Sequence, residues 1–306
     1  MSTLRHALVQ PLAAQIRRSV LDAFPRGQSG IDYDTRVGDP GLFGPDSVTW
    51  RVHSEFPGML AGGLCALMLQ TLHPRVLAGV YEHSNFRADL VGRLRRTSAF
   101  VAGTTYAPGI EAEKLIARVR TIHSRVRGKL ADGSHYAADD PELLTWVHVS
   151  EAYGFLEGCR RYCRTVPDAL ADRYYAESCR IAQALGAHAV PASQTQVRAY
   201  FARMQPQLRL DARAREVLEV LAAIRLPVPM PGLSGAWFLD AGAALLPAWG
   251  DRLLGHTPAR RARANIAAHG LRALAPMFRL ALPDGVAQRA CRRVGRAPEL
   301  LQRWPQ

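Results

Sequence analysis

Hydrophobic residues recur every three to four positions along most of the chain, and no strict alternation of apolar and polar residues persists. A period near 3.6 is typical of helices that bury one face. Proline and glycine punctuate the pattern often enough to separate one helix from the next. The pattern predicts an all-α fold with helices near 4–23, 46–55, 58–72, 75–83, 88–106, 110–127, 141–165, 168–185, 193–204, 211–224, 236–254, 258–281 and 284–294.

Local signals mark where some of these helices begin and where the chain leaves helical structure. Asp140 before Pro141 is an N-cap followed by proline at the first helical position, and Thr257 before Pro258 repeats the arrangement. Asp132-Gly133 indicates a tight turn, with a short hairpin as one interpretation. Residues 25–45 and 226–235 predict irregular connections because they are rich in glycine and proline.

These elements favour a single bundle-like domain over residues 1–306, because the helices after 235 are too apolar to stand alone. Within it we expect an N-terminal amphipathic helix and loop at 1–30, and a core at 45–165 that carries the informative motifs. The uncharged run 57–72 is too short to span a bilayer comfortably and predicts a buried helix. No secretory signal is recognisable, so we expect a cytoplasmic protein.

Composition narrows the class of partner. The chain has 306 residues, 48% of them apolar, and a net charge of +13 carried almost wholly by arginine. This excess favours anionic partners, although a preference for arginine codons would produce it as well. The arginines are spread over most helices and aromatic residues make up only 8%, which argues against nucleic acid. Peripheral membrane contact through 4–23 or 236–250 stays open.

One helical stripe carries a histidine at its centre. The stripe in the predicted helix 141–165 consists of Leu144, Val147, His148, Glu151, Ala152 and Phe155. His148 is either a core histidine bonded to a carbonyl oxygen or an axial metal ligand whose second ring nitrogen is held by an acceptor. Ala152, one turn further on, is small enough to let a flat cofactor approach the helix.

A second stripe carries an arginine. Arg93 and Thr97 lie one turn apart on the apolar face of the predicted helix 88–106, and an arginine there needs an anion. A protein carboxylate and an acidic group of a cofactor are the two alternatives. Arg96 falls beside this face, where it can reach the edge of the same site.

Other catalytic signatures are absent from the sequence. It contains no HExxH, no Gly-x-Ser-x-Gly, no Walker loop and no Gly-x-Gly-x-x-Gly. The five cysteines form no CxxC pair, and buried free thiols are the simplest interpretation of Cys159 and Cys163. His73 and His83 end predicted helices and are expected to cap carbonyl groups there, whereas His123, in a basic helix, is expected at the surface or behind a metal ligand.

Taken in order, several segments resemble the haem-dependent oxygenase family that includes the latex clearing protein and the MpaB-type oxygenases. The matching stretches are Trp50-Arg51-Val52, LMLQTLHPRVLAGVYEHSNF (67–86), GRLRRTSAF (92–100), IHSRVRG (122–128) and DGSHYAADDPELLTWVH (132–148). The resemblance implies an all-α fold around a buried haem b. It implies that His148 is the proximal iron ligand and that Arg93 and Thr97 are the family's Arg-x-x-x-Thr pair lining the haem pocket.

The same resemblance implies a function and shows where this chain departs from it. Family members use dioxygen to cleave carbon–carbon double bonds of isoprenoid chains, so we expect a haem b-dependent oxygenase acting with dioxygen on a hydrophobic, isoprenoid-like small molecule. The alternative is a non-catalytic haem-binding protein, a carrier or sensor. The family's distal lysine has no match, because Arg96 occupies that neighbourhood and cannot ligate iron. No residue matches a catalytic base.

Overall fold

The structure is a computed structural model that describes residues 2–25, 27, 30–223 and 235–305. Within these ranges the chain is 70% helical, with fourteen α-helices and one small two-stranded sheet, which confirms the all-α prediction. None of the described helices is long and apolar enough to cross a membrane. The predicted connector 226–235 lies almost entirely outside the described residues.

The helices follow one another in chain order with short connections. They are α1 (Ser2–Ala23), α2 (Val48–His53), α3 (Phe56–Thr71), α4 (Pro74–His83), α5 (Leu90–Tyr106), α6 (Gly109–His123), α7 (Pro141–Gly158), α8 (Asp168–Leu185), α9 (Gln194–Met204), α10 (Ala212–Ala222), α11 (Gly235–Ala243), α12 (Ala248–Leu253), α13 (Pro258–Ala281) and α14 (Val286–Arg293). The antiparallel strands β1 (Arg127–Lys129) and β2 (His135–Ala137) form the hairpin expected around Asp132-Gly133.

The predicted start signals act as expected. The Asp140 carboxylate accepts a hydrogen bond from the Glu142 amide at 2.9 Å, and the Thr257 hydroxyl accepts one from the Arg260 amide at 3.2 Å. Each satisfies one of the amide groups that a helix leaves without a partner in its first turn. The Asp140 cap fixes the first residue of α7, and therefore which side chains lie on its functional face.

Three predicted helices were too long. The prediction of one helix over 236–254 was wrong: α11 closes in turns at Leu245 and Leu246, and Pro247 precedes α12. The predicted helix 110–127 ends at His123, because the following residues turn into β1. The predicted helix 141–165 is α-helical only to Gly158; a π-helical turn follows at Cys159–Cys163 and closes with the Arg164 amide on the Cys159 carbonyl.

The centre of the fold is the contact between α3 and α7. Gly58 and Gly62 lie one turn apart on α3, and Gly154 and Gly158 lie one turn apart on α7. Gly62 faces Gly154, and Gly58 faces Gly158. A Cβ atom on Gly62 would overlap the Gly154 carbonyl oxygen, and one on Gly158 would overlap that of Gly58. The two backbones are therefore in direct contact, which only glycine permits at these positions.

Candidate functional site

The face of α7 that carries His148 lies deep in the protein and yet is not sealed. His148 and Glu151 both stay partly accessible to solvent, although Trp146, Val149 and Ser150 between and beside them are fully buried. Burial lowers the pKa of His148 to about 4, so the ring is neutral at physiological pH. A residue that is deep and yet keeps accessible surface borders a cleft or an internal space.

A serine of α8 fixes the orientation of the His148 ring. The Ser178 hydroxyl donates to the Tyr175 carbonyl at 2.9 Å and lies 3.4 Å from Nε2 of His148. Because the serine proton is already used, Ser178 accepts from the ring, which favours the tautomer with the proton on Nε2. Nδ1 then keeps its lone pair. This is the arrangement that a metal-ligating histidine needs: one nitrogen held by an acceptor, the other available.

A second neutral histidine lies close to the first. His53, at the end of α2, has Nδ1 2.9 Å from the Thr105 hydroxyl and Nε2 3.0 Å from the Tyr174 hydroxyl. Thr105 donates to the Val101 carbonyl, so it accepts from Nδ1 and the Tyr174 hydroxyl donates to Nε2. Burial and then the neighbouring His148 lower the pKa of His53 to about 3. Both of its ring nitrogens are hydrogen-bonded, so His53 is a polar neighbour of His148 and has no nitrogen free to bind a metal.

An acidic residue shares the functional face of α7. Burial raises the pKa of Glu151 to about 7, while a hydrogen bond with Gln70 of α3 acts in the opposite direction. Gln70 also donates to the Val147 carbonyl at 3.3 Å, which ties α3 to the backbone of α7 at this level. Near neutral pH the Glu151 carboxyl can hold or release a proton, which suits acid–base work.

On α5 the structure separates the residues that sequence grouped together. Burial lowers the pKa of Arg93, and its guanidinium donates to the Ser84 hydroxyl at 2.6 Å. No described carboxylate lies within ion-pair distance of Arg93. Of the two anions considered for Arg93, the described chain therefore does not supply the protein carboxylate. Arg96 is exposed and pairs with Asp89 at 3.2 Å, and Thr97 is also exposed.

No described contact joins Arg93 or Thr97 to His148. Helix α5 packs on α6 and α2, whereas α7 packs on α3 and α8. Apolar side chains of both sides still belong to one core, and those of α5 that face it, Leu90, Leu94 and Val101, remain partly accessible. Ala152 is fully buried in the same core.

Another histidine lies on the α5 side of the molecule. His123 is the last residue of α6; its Nδ1 is buried without a described partner, and burial lowers its pKa. The short link at Ala107-Pro108 makes α5 and α6 an antiparallel hairpin, in which Gly103 lies against Leu115. Since both helices rise about 1.5 Å per residue, the first turn of α5 lies level with the last turn of α6. Arg93 and His123 occupy those turns.

Sequence reasoning missed the buried environments of Glu151, His53 and Tyr174, and it left His123 either at the surface or behind a metal ligand. The signal for Glu151 was present, because an acid on an apolar helical stripe requires an unusual environment. His53 and Tyr174 gave no signal, since they meet only through the packing of α2 on α8. Among the described residues, no three His, Cys, Asp or Glu side chains cluster to hold a metal ion, and a cofactor with a single protein ligand needs no such cluster.

The fold and these residues define a class: an all-helical protein whose core holds neutral imidazoles and a protonatable carboxyl around α7, and on α5 an arginine without a described acidic partner. A family model described as ER-bound oxygenase mpaB/B′ and rubber oxygenase, catalytic domain, matches residues 50–280. The chain belongs to this family of oxygenase catalytic domains, and the resemblance drawn from its motifs is confirmed. No curated protein and no solved structure matches the chain.

Proposed function

We propose that the protein is a haem b-dependent oxygenase that acts with dioxygen on a hydrophobic small molecule of the isoprenoid class. The family supports oxygenase activity in general. The observation that carries the haem proposal is His148, which is deep, neutral and held on one nitrogen while it borders an internal space. A haem needs one such imidazole and apolar walls.

The residues present fit a haem on two counts. His148 would hold the haem iron through its neutral imidazole, and Ser178, 3.4 Å from Nε2, would help to orient the ring. Arg93 offers a guanidinium that has a serine partner but no described acidic one, which suits a propionate. When bound, the haem iron supplies the redox chemistry with dioxygen.

The chain's own residues divide the remaining work. The partly accessible apolar side chains of α5, such as Leu94 and Val101, would hold the hydrophobic substrate and exclude water. Ala152, the small residue one turn after His148, would be where a flat cofactor approaches the helix. Thr97 and Arg96 would lie at the outer rim, where they can meet a propionate or water. Glu151 would hold or accept a proton at its carboxyl oxygens near neutral pH.

His123 is a second candidate for the axial ligand, and one observation favours it. Its buried Nδ1 lacks a described partner, and the α5–α6 hairpin places it level with Arg93. A haem ligated there would be anchored by neighbouring turns of two packed helices. The two candidates lie on different helices, α7 and α6, so they make different predictions for variants.

The deciding experiment uses the full chain reconstituted with haemin and three single substitutions: His148→Ala, His123→Ala and His53→Ala. Loss of the Soret band and of the ferric electron paramagnetic resonance signal in one of the first two variants assigns the axial ligand. His53→Ala is the matched control, because both nitrogens of His53 are already bonded. Should haemin bind equally to all three variants, or not bind the parent chain, the haem proposal is wrong.

Dioxygen uptake separates catalysis from carriage. The reconstituted, reduced protein is mixed with a polyisoprenoid lipid in detergent and oxygen is followed with an electrode. An oxygenase consumes oxygen and gives carbonyl products. A carrier or sensor shows the same Soret band without consumption, and that result would leave haem binding standing while removing the oxygenase activity.

A further inference from the structure

The outer face of α13 carries an apolar stripe that no described part of the chain covers. Its members recur at alternating spacings of four and three and are all exposed: Ala262, Ile266, His269, Ala273, Pro276 and Leu280. At 100° per residue they fall on one narrow arc. Ile266 and Leu280 are 72% and 60% exposed, and they are two of only five large apolar residues exposed in the described chain. The opposite face of α13 is buried against α1 and α11.

Arginines flank this stripe, and one of them, Arg272, carries a charge that no described carboxylate meets. Helix α13 contains no Asp or Glu, and Arg261, Arg272 and Arg279 border the stripe on one side while Arg263 borders it on the other. Asp251, Asp240 and Glu55 from neighbouring elements pair with Arg261, Arg263 and Arg279. Arg272 is exposed and has no partner among the described residues. A narrow apolar stripe between arginines is typical of helices that lie in a membrane interface.

One end of the stripe opens into a shallow hollow of about 690 Å³ at the start of α13. Arg260, Arg263 and Thr257 line it together with Ile266, the first large residue of the stripe. Nε of Arg260 is buried and has no described partner. The arginine side chains that line the hollow favour a phosphate group, so the hollow joins a basic end to an apolar track.

We propose that the outer face of α13 binds the surface of an anionic phospholipid bilayer, with lipid phosphate in the hollow and acyl chains against Ile266 and Leu280. A phospholipid has a phosphate group followed by acyl chains, and this surface has a basic hollow followed by an apolar stripe. A second copy of the chain is a poorer partner, because pairing two such helices would bring arginine flanks together. Nucleic acid would leave the apolar stripe without a contact.

The test is sedimentation of the full chain with vesicles of pure phosphatidylcholine and with vesicles containing about a third phosphatidylglycerol, at low and high salt. We expect binding to the anionic vesicles alone, weakened by salt. Removing one basic residue near the surface, in Arg272→Ser, should lower the partition coefficient about fivefold, since each contributes about 1 kcal/mol. The double substitution Ile266→Asp with Leu280→Asp should lower it at least about tenfold, because it removes two apolar anchors and adds negative charge.

Val37→Asp is the matched control, because Val37 is 87% exposed and lies in the loop before α2, away from α13. Far-ultraviolet circular dichroism verifies that each variant folds. The proposal is overturned by absence of binding to anionic vesicles, by equal binding to both vesicle types, or by equal loss in Val37→Asp. A soluble dimer that Ile266→Asp converts to monomer, without vesicle binding, would assign the face to a second copy instead.

Discussion

The α3–α7 pair and the α5–α6 pair carry the two halves of the candidate site, and they are built in opposite ways. The first pair meets backbone to backbone through four glycines and is sealed there. The second pair meets through side chains and leaves Arg93, Leu94 and Val101 partly accessible in the interior. The α3–α7 contact holds the backbone of the helix that carries His148. The α5–α6 pair leaves accessible side chains that a bound molecule would cover.

The two regions also differ in what they contribute to the free energy of folding. The α3–α7 contact excludes both water and side chains. Around the site, in contrast, Glu151, His148 and Arg93 are all kept away from their ordinary protonation equilibria by burial. Deep ionisable groups cost folding free energy unless a partner meets them. Several such groups on α5 and α7 of one protein are typical of a functional site.

The largest expected effect comes from breaking the glycine contact. Gly62→Ala should lower the free energy of unfolding by about 3 kcal/mol or more, because its Cβ meets the Gly154 backbone, which cannot rotate away. Gly63→Ala is the neighbouring control: its Cβ would lie 3.6 Å from the Phe155 ring, an ordinary contact. That variant should be neutral or gain up to about 1 kcal/mol from helix propensity. Urea unfolding followed by circular dichroism measures both, and equal values for the two would contradict the backbone contact.

The next effect tests the carboxyl on the functional face. Since the pKa of Glu151 is raised to about 7 in the folded chain, the unfolded chain loses its proton first as pH rises above about 4.5. The free energy of unfolding should therefore fall between these two pH values. Glu151→Gln removes this dependence and should stabilise the cofactor-free protein by about 2 kcal/mol at pH 8, with no gain at pH 4.

The comparison variant is Glu142→Gln, in the exposed first turn of the same helix. It should show no gain at pH 8. Urea unfolding at the two pH values is the measurement, and a Glu151→Gln curve parallel to that of the parent chain would show that the carboxyl is not held neutral by burial.

Much of the fold could be predicted from the sequence, because periodicity and caps are local properties. Asp140 with Pro141 placed the start of α7, and Thr257 with Pro258 placed that of α13. The break between α11 and α12 was missed, since the apolar pattern runs through it and outweighed the breaking signal of Pro247. The site was predicted only in part. Its stripes were visible, but the pairing of Gln70 with Glu151 and of Tyr174 with His53 depends on packing between helices distant in sequence.

A smaller effect sharpens the contrast on the α5 side. Arg93→Met removes a deep guanidinium that lacks a described acidic partner, so haemin should bind the variant about tenfold more weakly, a loss of about 1.4 kcal/mol. Arg96→Met, three residues on, is the matched control, because Arg96 is exposed and pairs with Asp89. Titration of each apoprotein with haemin, followed at the Soret band, gives both dissociation constants. Equal weakening in the two variants would show that the haem propionate does not depend on the deep guanidinium of Arg93.

The smallest effect concerns the second member of the Arg-x-x-x-Thr pair. Thr97 is one turn after Arg93 but is exposed, so the two side chains do not share an environment in the folded chain. Thr97→Val should change the free energy of unfolding by less than about 0.5 kcal/mol, as is usual for an exposed position. Haemin affinity should also stay within about twofold of the parent value, because a rim hydroxyl that already contacts water gains little from a propionate. If Thr97→Val instead weakens haemin as much as Arg93→Met does, the pair acts as one unit and α5 must rotate or shift towards α7 when the cofactor binds.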